Sequence, residues 1–393
     1  MSSLFVDYTN GSMGNKTVKY SGGGDFTRFV LEKLDSSARK DEQCDRKIII
    51  LWPKGKEIVS PEDKRIRETY SVIEVNSLIE VNYNENDVIF LPLLDSFNIS
   101  IVKHINALKN HPRVYGVLHG LRLLDMTKYD KYDKYYYSGI KSLSIVLWVR
   151  RWIAAAIAKQ RLKECLPLLD RVYTVSNNSM QLINHYGTTS HIKYFTRYVM
   201  EYKDDSEIVR KPTERFILFI SSNRYEKNFI RSLVAFCSFQ KRSNEDIKLY
   251  VLGMKSPLRE KLNIIPGVTK DILESKVVFF DYIPYDQVLQ LYANCEFLLY
   301  TSKSEGFGLP PLEALNAGRP SVCSKTTSVP EVLGMSAYYV DPYNVEDIAS
   351  GIEFMSIPQN QDKYVKMIQA LKPLIYERGT FDIQCLVSEL LHE

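Results

Sequence analysis

Cysteine is scarce in this chain and widely scattered. Its six residues, Cys44, Cys165, Cys237, Cys295, Cys323 and Cys385, form no Cys-x-x-Cys pair and have no histidine nearby at metal-ligand spacing. That pattern excludes a disulfide framework and a zinc-ribbon type of site, and most of the six read as small core residues. Long apolar runs are also lacking. Nothing approaches the ~20 residues that a membrane-spanning helix needs, so any membrane contact is expected to be peripheral. The opening MSSLFVDYTN has no positive region followed by an apolar stretch, so no secretory signal is read there and a reducing cytosol is the expected compartment. Asn-x-Ser/Thr triplets at Asn10, Asn15, Asn98 and Asn177 are then accidental. Charge of one sign is not in excess either. A net charge of +4 is too mild to call for nucleic acid, though it is compatible with an anionic membrane surface or a phosphorylated substrate.

What is present is enough chain for two domains, 393 residues, with the 45% hydrophobic and 25% charged content of a globular protein. Short apolar runs at 4–8, 47–52, 87–91, 113–118 and 171–175 read as strands, separated by longer segments with helical patterning. A polar, proline-interrupted stretch, EYKDDSEIVRKPTE at 201–214, reads as a linker. A second alternating series follows, with strands at 216–220, 247–252, 277–280, 296–300, 320–323 and 337–340, and closing helices at 345–354, 362–374 and 380–392. Such alternation predicts two doubly wound, mainly parallel sheets.

The most informative stretch is SKSEGFGLPPLEALNAGRPSVCSKTTSVPEV, residues 302–332. Gly306 and Gly308 free the backbone for a tight turn after a buried strand. Pro310 and Pro311 suit the first turn of a helix over 309–317, and Gly318 with Pro320 supplies its stop. Unpaired amides at that helix start make a seat for an anion. Glu305 at the strand exit and Glu313 one turn into the helix flank the seat, and a carboxylate accepts both hydroxyls of a vicinal diol. A phosphate seat between diol acceptors points to a sugar nucleotide.

The block EGFGLPPLEAL, a glutamate at each end of an eight-residue step and the SVPEV turn after it, resembles the retaining glycosyltransferases of family 4. The resemblance is dense over 216–345 and thinner before. It implies the GT-B architecture: α/β, two Rossmann-like doubly wound domains facing across a cleft. Residues 1–205 would form an acceptor-binding domain, 206–375 a nucleotide-sugar-binding domain, and 376–393 a helix packing back toward the first. The implied activity is retaining transfer of a sugar, hexosyltransferase type, from a UDP- or GDP-sugar to an acceptor hydroxyl. Family use suggests surface polysaccharide synthesis on a lipid carrier at the inner face of the cell membrane.

The resemblance also implies roles. Arg224 and Lys227 in SSNRYEKNF would hold the leaving diphosphate, where fixed cations oppose growing negative charge. Gly22, Gly23 and Gly24, in a loop expected to precede a helix over 26–34, would lie beside the diphosphate. Gly306, Phe307, Gly308 and Leu309 would meet the donor, Glu305 would face the hydroxyls of the transferred sugar, and Glu313 would hold the ribose. His119, at the carboxyl end of a strand, would stand near that sugar and the acceptor, with Arg122 and Asp125 of HGLRLLDM in reach of the same region. A lone histidine there reads otherwise as a neutral ring satisfied by backbone. No Asp-x-Asp occurs in the expected donor region, so no metal and no cofactor beyond the donor substrate are expected.

Two segments stay open. KYDKYDKYYYSGIK, 128–141, reads equally as an acceptor-binding loop, since tyrosine rings stack on sugars, or as a solvated excursion. The stretch 142–166 carries Trp148 and Trp152 among basic residues, which suits a membrane surface. Arg150 and Lys159 fall on opposite sides of a helix at about 100° per residue, which suits a packed helix of the first domain instead. The expected partners are a nucleotide-sugar donor and a glycan or lipid-linked saccharide acceptor. An alternative on the same architecture is a sugar-nucleotide epimerase or hydrolase, and another is a non-catalytic binding subunit, against which the intact Glu305, Glu313, Arg224 and Lys227 speak.

Overall fold

The computed structural model describes residues 2–9, 22–38, 46–56, 61–126, 130–137, 144–186, 192–195, 214–220, 223–243, 245–254, 256–281 and 283–392. The chain forms two compact units. The first comprises Met1–Leu124, Ala154–Met200 and Glu377–Glu393, the second Asp125–Ile153 and Glu201–Tyr376.

The first unit is built on seven strands, β1 Ser3–Asp7, β2 Lys47–Pro53, β3 Ser71–Val75, β4 Val88–Leu94, β5 Arg113–Leu118, β6 Arg171–Thr174 and β7 Ile192–Phe195. All pair in parallel, in the order β3-β2-β1-β4-β5-β6-β7. Neighbours along a strand point to opposite faces, yet Ile89, Phe90 and Leu91 of β4 are all buried. Both faces of this sheet are therefore covered, which is why its strands read as unbroken apolar runs. One face packs Phe5, Leu51, Ile89 and Val172 with Val102, Ile105, Ala158 and Leu162.

Six strands make the second sheet: β8 Phe216–Phe219, β9 Lys248–Leu252, β10 Val277–Phe280, β11 Phe297–Tyr300, β12 Ser321–Ser324 and β13 Tyr338–Val340. Their order is β10-β9-β8-β11-β12-β13, again all parallel. Phe219, Phe229, Phe236 and Phe297 lie in its core, each contributing about 1.5–3 kcal/mol of burial. Gly351 lets the helix Val345–Met355 close on this sheet, since a Cβ there would come within 2.7 Å of Val340 Cγ1. In both sheets the strand order reverses once, between β1 and β4 and between β8 and β11. Loops leaving those two carboxyl ends run in opposite directions, and the crevice between them is where open sheets bind ligands.

The structure departs from the sequence reading in several places. Two strands were not expected, β3 and β7, both at sheet edges; three of the five residues of β3 are exposed, so it lacks the apolar run of a central strand. The closing helices over 362–374 and 380–392 are one continuous helix, Pro358–His392, with Pro373 inside it. The loss of one hydrogen bond at Pro373 is outweighed by apolar residues buried before and after it, among them Ile368, Ile375, Ile383 and Leu386. The helix expected over 26–34 runs Gly22–Ala38, so the three glycines are its first turn and not a preceding loop. Residues 125–153, assigned to the first domain from sequence, stand in the second unit, whereas Glu377–Glu393 stand in the first. The linker over 201–214 lies outside the described residues except for Glu214. Cys165, Cys237, Cys295 and Cys323 are buried and free, and Cys385 is free and partly buried.

Candidate active site

In the second unit the two loops flanking the strand-order reversal converge. After β8 the chain enters a 3-10 turn, Tyr225–Lys227, and then the helix Phe229–Arg242. Asn228 joins them with φ +63°, a left-handed conformation that asparagine tolerates. Its Nδ2 donates to the carbonyls of Thr301, at 3.1 Å, and Pro342, at 2.6 Å, which ties the turn to the end of β11. Lys227 therefore points at β11. Its Nζ lies 2.7 Å from Glu305 Oε1 and 2.7 Å from Tyr300 Oη. Burial lowers the Lys227 ammonium from its ordinary value, and the Glu305 charge works against that. Burial would raise the Glu305 carboxyl, but the Lys227 charge and hydrogen bond outweigh it and hold it below the usual range. The 2.7 Å contact between these two nearly buried groups is an ion pair. Arg224 behaves differently. Its side chain is half exposed and its Nε donates to Glu226 Oε1 at 2.6 Å, so the two expected cations are one inward and one outward.

The loop carrying Glu305 is held from both ends. Lys303 N–H donates to the Glu226 carbonyl at 2.7 Å, and Ser302 Oγ donates to the same carbonyl at 3.0 Å. Glu305 N–H donates to Thr327 Oγ1 at 3.2 Å, and Ser328 Oγ lies 3.0 Å from the carbonyls of both Glu305 and Phe307. Gly308 has φ +101°, a region that strains any residue with a Cβ. The helix Leu309–Asn316 starts there with Pro310 and Pro311 in its first turn. The amides of Gly306, Phe307 and Gly308 meet no acceptor among the described residues.

Glu313 is clamped by two tyrosines, Tyr285 Oη donating to Oε1 at 3.0 Å and Tyr292 Oη to Oε2 at 2.5 Å. Burial raises its carboxyl above the ordinary value despite those two bonds. A carboxylate offers about four lone-pair sites, so acceptor capacity remains on each oxygen.

The first unit carries the expected histidine. His119 follows β5, with its ring 2.7 Å from the Pro92 carbonyl through Nε2 and edge-on to Phe26 at 4.8 Å. A carbonyl only accepts, so Nε2 carries the proton and Nδ1 is the bare nitrogen. Burial pushes the imidazole down to about 4, against the opposing effects of Pro92 and Asp95. The ring is neutral at pH 7. Gly22, Gly23 and Gly24 form the first turn of their helix, where amides have no intrahelical partner.

Of the residues singled out from sequence, the structure assembles Lys227, Glu305 and the 306–309 turn, with Arg224 on the same turn as Lys227. Asp125 also arrives, its Oδ2 accepting from Ser304 Oγ at 2.7 Å, one residue before Glu305. Missed were Tyr285, Tyr292, Tyr300 and Asn228. Tyr300 could have been found as the last residue of a strand entering the loop. The other tyrosines carried no signal in their spacing.

Residues 201–372 match the family described as Glycosyl transferases group 1. Among curated relatives, O-antigen chain mannosyltransferase B of Escherichia coli is 40% identical over 22% of this chain and 22% of its own length. O-antigen chain mannosyltransferase RfbU of Salmonella typhimurium is 26% identical over 50% of this chain and 53% of its own. The chain thus spans between about a fifth and a half of the length of these relatives. Among solved structures, sucrose-phosphate synthase of Thermosynechococcus elongatus superposes with a TM-score of 0.63 at 13% identity, over 99% of this chain and all of that one. The fold is GT-B.

Proposed function

We propose that this chain is a retaining glycosyltransferase of family 4 that moves a hexose from a nucleotide sugar to an acceptor hydroxyl in surface polysaccharide synthesis. The observation that carries the reading is the buried Lys227–Glu305 pair at the carboxyl ends of β8 and β11, beside the open amides of 306–308. Family match, fold and the O-antigen mannosyltransferases among the relatives support it. Those relatives favour mannose as the sugar.

In this reading the diphosphate lies against Lys227, Arg224 and the 306–309 amides. Glu305 receives hydroxyls of the transferred sugar, and the spare lone pairs of Glu313 receive the ribose. Neutral His119 has Nδ1 as its acceptor nitrogen. Cations already oppose the charge that grows on the leaving diphosphate, so a divalent metal is not required. A panel of UDP- and GDP-sugars, each with and without a lipid-linked saccharide, tests this. Transfer with retained anomeric configuration, undiminished by chelator, is expected. Conversion of the donor without acceptor would mean an epimerase or hydrolase.

The helix Ser144–Cys165 supports a peripheral membrane contact at the cytoplasmic face. It buries Leu147, Ala155, Ala158 and Leu162 on one side and exposes Trp148 (48%), Trp152 (62%), Ile145 and Ile153 on the other. Lys159 and Lys163 continue that exposed side at helical spacing, a pattern that suits an anionic interface. Co-sedimentation with anionic vesicles, lost on joint Trp148→Glu and Trp152→Glu substitution, is the expected result; no binding by the unaltered chain would remove the membrane from the reading.

A further inference from the structure

The tyrosine- and aspartate-rich segment takes no part in the function so far. Its described part, residues 130–137, is folded into the second unit and is not a solvated excursion. Asp130 and Asp133 are nearly inaccessible, and their carboxylates meet three buried cations. Arg231 grips Asp130 with two bonds, Nη1 to Oδ2 at 2.6 Å and Nη2 to Oδ1 at 2.8 Å. Lys303 Nζ donates to Asp133 Oδ1 and, at 3.3 Å, to Asp130 Oδ2. Arg151 Nη1 donates to Asp133 Oδ2 at 2.7 Å, while its guanidinium lies 4.6 Å from the Tyr225 ring centroid.

Each of these cations leads to the candidate site. Lys303 stands two residues before Glu305. Arg231 Nη1 also donates to Asn228 Oδ1 at 2.9 Å, and Asn228 follows Lys227 directly. Tyr225, under Arg151, belongs to the Tyr225–Lys227 turn. Asp125, just before the segment, takes the hydroxyl of Ser304. A second contact holds the helix start, where Ile230 N–H donates to Tyr136 Oη at 3.3 Å. The two loops that bear Lys227 and Glu305 come from different strands, and Asp130 reaches both, one through Arg231 and the other through Lys303.

We propose that Asp130 and Asp133, with Asp125, are positioning residues that set Glu305 against Lys227 by fixing the two loops through Lys303, Arg231 and Ser304. The inference rests on the proposed transferase reading and deepens it. A merely structural cluster would lower stability and every kinetic constant together. A positioning cluster shifts the loops of Lys227 and Glu305 and leaves the ribose end, where Tyr285 and Tyr292 hold Glu313, in place.

The test compares Asp133→Asn, Ser304→Ala and Lys303→Met with Lys303→Arg. Asp133→Asn and Lys303→Met should each lower kcat by about 100-fold, the scale of a misplaced catalytic group. Affinity for the free nucleoside, which lacks the diphosphate, should stay within about threefold, far short of the tenfold that one lost hydrogen bond brings. Lys303→Arg should restore most of kcat, and Asp133→Asn with Lys303→Met should cost little more than either alone. The double variant leaves no unpaired charge of that pair, so it serves if a single one does not fold, as does the milder Ser304→Ala. A second readout needs no turnover: in carbon-13 NMR titrations the Glu305 carboxyl, held low by Lys227, should move upward in Asp133→Asn. An unmoved Glu305 titration and unchanged kcat in folded variants would overturn the proposal. Equal losses in kcat and nucleoside affinity would do so too. If the unaltered protein transfers no sugar, the transferase reading fails, while the Glu305 titration still decides the positioning.

Discussion

The two units share a parallel doubly wound plan, yet their strand-end chemistry differs. In the second, Lys227 and Glu305 are buried as an ion pair, and Asp130, Asp133, Lys303 and Arg231 form a second buried set behind them. In the first, the expected catalytic side chain is a neutral histidine satisfied by a carbonyl. The comparison teaches where folding energy is tied to function. Removing one member of a buried pair leaves an uncompensated charge, whereas removing a neutral ring leaves one carbonyl to find water.

The sharpest way to break this contrast is Lys227→Ala. It should lower kcat about 100- to 1000-fold, as loss of one oxyanion donor does, and weaken diphosphate product binding. It should also destabilise the second unit by about 3–5 kcal/mol, since Glu305 stays buried without its partner. The Glu305 carboxyl should then rise. In the unaltered protein that lowered carboxyl adds stability above the ordinary carboxylate range, lost as pH falls through its folded value. Kinetics and denaturation on the folded variant check both, and a retained kcat would remove the diphosphate from this site.

Glu313→Ala should do less. Its ligand groups do not change during reaction, so donor KM should rise about tenfold, the worth of one hydrogen bond to a charged group, with kcat nearly kept. A fall confined to kcat would place Glu313 at the reacting sugar instead. His119→Ala should do least, lowering kcat/KM by about tenfold or less. With its folded value near 4, the imidazole contributes no acidic limb to activity above that pH. Between about 4 and 6.5 the unfolded chain binds the proton that the folded ring refuses, so this contribution to stability falls as pH drops through that window. Nitrogen-15 NMR of the ring checks it; protonation near 6.5 would contradict the burial.

Much of the second unit was legible because its signals are local. A buried strand entering Gly306 and Gly308, followed by Pro310 and Pro311, can form little but a turn and a short helix, and both stand where expected. The Arg224–Lys227 turn was legible for the same reason, but not that Arg224 would face outward. The glycine helix of the first unit began earlier than read, because three glycines are poor helix formers that the remaining chain nonetheless carries.

By itself, the sequence determined the two parallel sheets and the loops at their carboxyl ends, since apolar runs of strand length between helical segments have few other ways to bury themselves. Tertiary structure alone decided which partners those loops acquire. Tyr285 and Tyr292 reach Glu313 across 28 and 21 residues, and Asp133 reaches Lys303 across 170. No periodicity encodes such pairs. A charged or phenolic side chain carries the same letter whether solvated or buried, and its meaning is set by the desolvation that only packing imposes.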